Sequence, residues 1–429
     1  MTATIDKNND SASQRDAARL GSQLTLANGV VIRNRFFKSA MSEQLGDNNH
    51  NPKPGLATVY QRWAEGGIGI NISGNIMVDR TALGEPKNVV LDEQSDLQAF
   101  RHWTAAATQG GAHLWAQLNH PGKQSPMFLS PQPVAPSAIA LGAGLDKAFK
   151  TPRALEDAEV WQVIGRYATA ARLAKDVGFT GVQIHGAHGY LVSQFLSPRH
   201  NQRDDQWGGS IENRMRFVLE VYKAIRKEVG DDFPVGIKLN SADFQRGGFT
   251  EEESMQVVKA LADAGIDLIE VSGGTYENPS MMGSEKGRDE TVKESTRQRE
   301  AYFLHYAEKI RTLVDTPLAV TGGFRSAKGM QEALDSGATD FIGIARPLAL
   351  VPDLPNQVMT NVNYQMSFTV PSTGLKELDR MMMIDLVWFE QQIHRMADGK
   401  APKENLSAWK SVWMTLKGMG GHAFKTRRA

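Results

Sequence analysis

The sequence predicts an α/β chain closed into a (β/α)8 TIM barrel, and three observations carry that prediction. From about Arg33 to Pro347, a short apolar segment alternates eight times with an amphipathic one. The joints from helix to strand look alike: E-G-G-I-G-I, Q-G-G-A-H-L, D-V-G-F-T-G-V, D-A-G-I-D-L-I and D-S-G-A-T-D-F-I. In each, a glycine can take the positive φ that closes a helix before an apolar run enters a buried sheet. Finally, an open nucleotide-binding sheet should show a glycine-rich phosphate turn early. The candidate here, G-A-G at Gly142–Gly144, has no strand before it, and G-x-x-x-x-G-K-[ST] does not occur. Eight such units in series favour closure over an open sheet.

Taken in order, residues 1–20 lack the apolar core of a signal peptide and read as a flexible tail. The expected barrel spans 21–355, with strands at Phe36–Ser39, Ile68–Ser73, His113–Gln117, Gly181–His185, Val235–Leu239, Leu268–Ser272, Leu318–Thr321 and Phe341–Ala345. Helical spacing supports the units between them. Val160, Ile164, Tyr167, Ala171 and Ala174 share one stripe before Gly178; Phe217, Val221, Ile225 and Val229 share another before Gly230. Ser210 stands where it can cap that second helix. Two excursions interrupt the pattern, Pro121–Pro152 and an extension over 356–429. In the extension, L-D-R-M-M-M-I-D-L-V-W-F-E-Q-Q-I reads as one apolar helix, packed on the barrel or on a neighbouring subunit of a homo-oligomer.

Composition removes several classes of function. Of 429 residues, 41% are apolar and 22% charged, the balance of a globular protein with a full core. A barrel fits that length with room to spare. Lys plus Arg and Asp plus Glu are each 48, so no basic excess marks a nucleic-acid surface. Cysteine is absent, which excludes disulfides, iron–sulfur clusters and Cys-ligated zinc and suits the cytoplasm. No apolar run reaches the roughly 18 residues needed to span a bilayer.

Chemistry on a barrel sits where strands end. After the fourth strand, V-Q-I-H-G-A-H-G-Y presents His185, His188 and Tyr190. Three proton-donating groups in six residues suit the gripping and protonation of an oxygenated substrate. Two other readings are a metal site, for which no carboxylate lies beside the pair, and a polar loop without chemistry. Lys238, in G-I-K-L-N, is a charge on a buried strand and needs an anion. Gln117 offers an amide that donates and accepts, or one that merely satisfies backbone groups. Gly74, in I-S-G-N, leaves room for close approach, and Ser42 is a hydroxyl in the first loop. The loops after strands seven and eight form the phosphate cradle of such barrels, here Gly322, Gly323 and Arg325, then Ala345 and Arg346. Ala345 requires a negative φ, and a structural ion pair is the alternative for Arg346.

The stretch Val182–Arg216 resembles the Old Yellow Enzyme family, where H-x-x-[HN]-G-Y is followed by F-L-S-P, N-x-R-x-D and G-G-S-x-x-N-R. The likeness runs from about Leu24 to Pro352, and lack of cysteine places the chain with the single-domain branch. It implies FMN as cofactor, NAD(P)H as reductant and a small enone-type substrate. By resemblance, Ser42 would meet the flavin O4, Ala40 (usually Pro) would contact it through the main chain, and Gln117 would meet the N3–O2 edge. Lys238 stands where most relatives have arginine, and Ala345-Arg346 where most have Gly-Arg. His185 and His188 would hold the substrate oxygen while Tyr190 supplies a proton. Glu43 and Gln44 replace an aromatic found in some relatives, so substrate preference does not transfer. Amine or alcohol oxidation, nitro or flavin reduction, and a metal-dependent barrel hydrolase remain open alternatives.

Overall fold

A computed structural model describes residues 19–142, 144–145, 148–272 and 303–419. The expected tail at 1–20 lies almost wholly outside the described residues, as does the middle of the Gly142–Gly144 turn. The barrel strands are β1 (Phe36–Lys38), β2 (Ile70–Met77), β3 (His113–Asn119), β4 (Gly181–Gly186), β5 (Val235–Asn240), β6 (Leu268–Ser272), β7 (Leu318–Thr321) and β8 (Phe341–Ile344). All pair in parallel in the order β1-β8-β7-β6-β5-β4-β3-β2, and pairing of β1 with β2 closes the ring. The eightfold alternation is therefore a closed barrel.

Packing explains the closure. The floor of the barrel is an apolar plug of Phe37, Ile70, Ile72, Trp115, Leu268 and Phe341, sealed from below by Leu26 and Ile32 of an N-terminal hairpin. Trp115 dictates two glycines: a Cβ at Gly181 would lie 2.6 Å from its Nε1, and one at Gly236 would lie 2.9 Å from its ring. The larger core lies between the strands and the helices, where α1 (Pro54–Glu65) buries Leu56, Val59, Tyr60 and Trp63, and α2 (Asp157–Asp176) and α3 (Ile211–Val229) bury the predicted stripes. Gly178 and Gly230 close α2 and α3 with φ of +96° and +77°. Ser210 occupies the N-cap of α3, but its side chain caps no backbone N–H. Arg214 instead secures that helix, donating to Gly209 O (3.1 Å), Leu196 O and Glu253.

Two expectations are corrected. The second strand runs four residues further than expected, to Met77, with an irregular register between Ile72 and Asn75. Gly74 lies within that irregularity, because its N–H is given to Glu43 Oε1 (3.0 Å) rather than to the ladder. The apolar helix of the extension is two helices, α4 (Lys376–Met381) and α5 (Ile384–Ala397), broken where Met383 takes φ +48°. The break lets α5 lie against α1, with Ala397 packed on Gly55, His394 Nε2 donating to Glu43 O (2.7 Å), and Arg62 donating to Lys400 O (2.8 Å).

Candidate active site

At the carboxyl end of β4 the chain leaves the sheet through a tight turn. His185 is the penultimate residue of the strand, His188 takes φ +61°, and Tyr190 is the N-cap of a short helix, Leu191–Leu196. The unusual backbone at His188 is held from two sides. Its N–H donates to Asn240 Oδ1 (3.2 Å), and its carbonyl accepts from Gln124 Nε2 (2.9 Å). A strained residue fixed by its surroundings is a common mark of a functional turn. It brings three rings together: His185 lies 5.2 Å from His188 and 4.9 Å from Tyr190, centroid to centroid.

Electrostatics settles what these rings carry. Burial holds the His185 imidazole well below its ordinary value, with His188 and Lys238 adding to the effect. Burial, then the charge of Lys238, pushes His188 down to about 3. Both are neutral near pH 7. Because His185 Nδ1 accepts from the Ala187 N–H (3.2 Å), its proton sits on Nε2. His188 Nε2 shares a hydrogen bond with Ser272 Oγ (2.9 Å), at the end of β6.

Below the rings a polar belt crosses the barrel interior. Gln117 on β3 donates to Gln183 Oε1 (2.7 Å), Gln183 donates to Glu270 Oε2 (2.8 Å), and Thr321 donates to Glu270 Oε1 (2.8 Å). Lys238 pairs with Glu270 at 3.0 Å, so the anion this buried lysine needs is supplied by the chain itself. Gln183 and Glu270 were not singled out from the sequence. The signal was present, since each is a polar residue at an inward position of an otherwise apolar strand, G-V-Q-I-H and L-I-E-V-S.

The other side of the mouth is acidic. Ser42 Oγ donates to Glu85 Oε2 (2.6 Å), so its one proton is engaged within the chain. The room left by glycine at Gly74 is filled by the Glu43 carboxylate, which also accepts from Tyr60. Lys38 lies 3.9 Å from Glu43 and over the rings of Tyr60 and Trp63. Burial raises Glu43 and Glu85, and pushes Glu390 of α5 up to about 8, with Glu85 adding to the last shift. Ala40 is half-buried against the barrel floor.

Beyond β7 and β8, Gly322 and Gly323 turn with φ of +139° and +67°. Ala345 has φ −123°, the negative value its methyl requires. Arg325 donates to Phe324 O (2.9 Å). Among the described residues, the half-buried Arg346 guanidinium makes no hydrogen bond or ion pair within the chain. The Arg346 guanidinium feels the Asp385 carboxylate, and beside a glycine turn its charge and donors also suit an anionic phosphate, so these residues fit the phosphate end of a flavin nucleotide. Among the described residues, no group of three His, Cys, Asp or Glu side chains could hold a metal ion, and no helix is long and apolar enough to cross a membrane.

Comparison with known proteins agrees with this geometry. Residues 23–365 match the model of the NADH:flavin oxidoreductase / NADH oxidase family. The chain is 39% identical over 360 residues to the NADH-dependent flavin oxidoreductase iliE of Hypocrea jecorina (strain QM6a), covering 79% of this chain and 88% of that protein. It is 41% identical over 355 residues to the iliE protein of Neonectria sp. (strain DH2), covering 78% of this chain but only 46% of that longer one. Among solved structures, an old yellow enzyme homologue from Zymomonas mobilis superposes with a TM-score of 0.67 at 25% identity, over 81% of this chain and 94% of that one. Barrel and strand ends together define a flavin oxidoreductase scaffold. The chain belongs to the NADH:flavin oxidoreductase / NADH oxidase family, among its Old Yellow Enzyme members.

Proposed function

We propose that this protein binds FMN, takes reducing equivalents from NAD(P)H, and reduces the C=C bond of α,β-unsaturated carbonyl compounds. The observation that carries this reading is the cluster of His185, His188 and Tyr190 above Lys238. Bound FMN would supply the hydride for the alkene β-carbon. Gly322, Gly323, Arg325, Ala345 and Arg346 would hold its phosphate, and Ala40, Gln117 and Lys238 its ring system; the Ser42 proton and the space at Gly74 are taken by Glu85 and Glu43.

The chain's own residues do the rest. His185 and His188 hold the carbonyl oxygen as neutral donors. As hydride reaches the β-carbon, the alkene π electrons shift and negative charge grows on that oxygen. A hydrogen bond to a neutral acceptor contributes about 0.5–1.5 kcal/mol and one to a charged group about 1.5–3 kcal/mol, so both bonds strengthen as the charge develops. Tyr190 delivers its proton to the α-carbon and recovers one from solvent. Reductant and alkene use one pocket in turn, a ping-pong sequence.

The test is anaerobic. The flavin is first reduced with NADH or NADPH, then mixed with cyclohex-2-enone. Return of the oxidised spectrum, with formation of cyclohexanone, is the expected result. A flavin that stays reduced with enones but is reoxidised by nitro compounds or free flavin would assign the fold a different reaction.

A further inference from the structure

The segment after the barrel is built into the phosphate end of the proposed flavin site. Residues 364–370 lie across the turn that follows β7. Ala327 N donates to Tyr364 O (3.0 Å), Met366 N donates to Arg325 O (2.7 Å), and Ser326 bridges Gln365 in antiparallel fashion. Two residues further on, the ring of Phe368 lies 4.8 Å from the Arg325 guanidinium carbon. Phe389 of α5 lies 5.9 Å from that of Arg346. The two phenyl rings meet edge to face at 5.4 Å and 83°. Trp388 packs edge to face on Phe389 at 5.0 Å, and Phe389 is buried. Both arginines of the cradle therefore rest on one aromatic pair that the barrel itself does not contain.

We propose that Phe368 and Phe389 are positioning residues for phosphate recognition, holding Arg325 and Arg346 so that this site selects a flavin that bears a phosphate over one that lacks it. The physical reason is twofold. An arginine on a flexible stem loses rotamer freedom when it grips an anion, and an aromatic face that already orients it removes part of that loss. A guanidinium over an aromatic face is attracted to the ring while its donors lie in its own plane, directed away from that face. This inference rests on the reading of the cradle as an FMN site.

The test compares two ligands on full-length protein stripped of flavin, titrating FMN and riboflavin by quenching of flavin fluorescence. The parent chain should bind FMN more tightly than riboflavin. In Phe368→Leu/Phe389→Leu, which keeps apolar volume but removes both π faces, FMN affinity should fall roughly 10-fold while riboflavin affinity stays within about twofold. Phe368→Tyr should keep the parent preference. Phe368→Leu alone, at a half-buried site, should show a smaller loss for FMN only and guards against misfolding of the double variant. An unchanged FMN preference in the leucine variants would overturn the positioning role, as would equal loss of both flavins. A parent protein that binds riboflavin as tightly as FMN would instead overturn the cradle reading on which the inference stands.

Discussion

Two sides of the barrel mouth meet the same physical problem with opposite chemistry. At the end of β4, burial drives His185 and His188 down, so both imidazoles stay neutral and keep a proton to donate. Across the mouth, burial drives Glu43, Glu85 and Glu390 up, so carboxyl groups are pressed towards their neutral, proton-bearing form. The comparison teaches that this mouth suppresses isolated charge of either sign. Lys238 and Glu270 instead face one another at 3.0 Å, each the built-in partner of the other. Such surroundings favour the neutral, polarisable substrate proposed above, whose charge develops only during reaction.

The sharpest way to test the imidazole side is to remove the proton it is proposed to deliver. Tyr190→Phe should slow reoxidation of reduced flavin by an enone by roughly 10²–10⁴-fold. Reduction by NADPH should barely change, and single-turnover kinetics separate the two. Equal slowing of both steps would make Tyr190 a wall of the pocket. Next in size is the donor pair. A phenolate mimics an enolate oxygen, so phenols should bind the oxidised protein and give a charge-transfer band. His185→Ala/His188→Ala should weaken that binding at least about 100-fold, from two lost charge-assisted bonds, with flavin retained. Normal phenol binding by the double variant would place the pocket elsewhere.

The two sides should also respond oppositely to pH. His188 titrates at about 3 in the folded protein against an ordinary 6.5. Between those values the unfolded chain binds a proton that the folded one refuses, so stability falls as pH falls, by up to about 1.4 kcal/mol per unit. His120, lowered by burial to about 4, adds to the same slope. Urea midpoints of Glu390→Gln, which lacks the opposing carboxyl, should drop steadily from pH 6.5 down to 4.5, and a flat profile there would show that these rings are solvated. Glu390 behaves in reverse. Its folded value of about 8 lies above the ordinary 4.5, so the folded protein retains a proton that the unfolded chain has released, and stability falls as pH rises. The stability of Glu390→Gln relative to the parent should therefore rise between pH 5 and 8. The smallest effect expected is a gain of about 1–2 kcal/mol at pH 7 after loss of packing is included. A destabilised glutamine variant would mean that Glu390 is ionised and paired.

The imidazole side was legible in the sequence and the carboxyl side was not, for a reason of distance along the chain. His185, His188 and Tyr190 lie within six residues, on a strand whose apolar pattern announces its burial. The barrel was legible for the same reason, because each strand and glycine joint is a local pattern repeated eight times. The Glu43 carboxyl gains its meaning from Tyr60 and Gly74, 17 and 31 positions away, and Arg346 from Phe389 on a different helix. Nothing in M-S-E-Q or W-F-E-Q-Q announces those meetings. Gln183 and Glu270 fall between the two cases: their inward positions were readable, but their joining into one belt required the closed ring.

That belt bears on how the protein can change over generations. Ser39, Thr321, Glu270, Gln183, Gln117 and Lys238 form one connected set of hydrogen bonds and charges drawn from neighbouring strands. Loss of any one member strands its neighbours in a dry interior, so single substitutions there should be far more harmful than paired ones. Glu270→Gln is tolerable only if Lys238 also loses its charge, and the reverse order is equally obstructed. Descendants of this chain should therefore move through sequence space at these positions in linked steps.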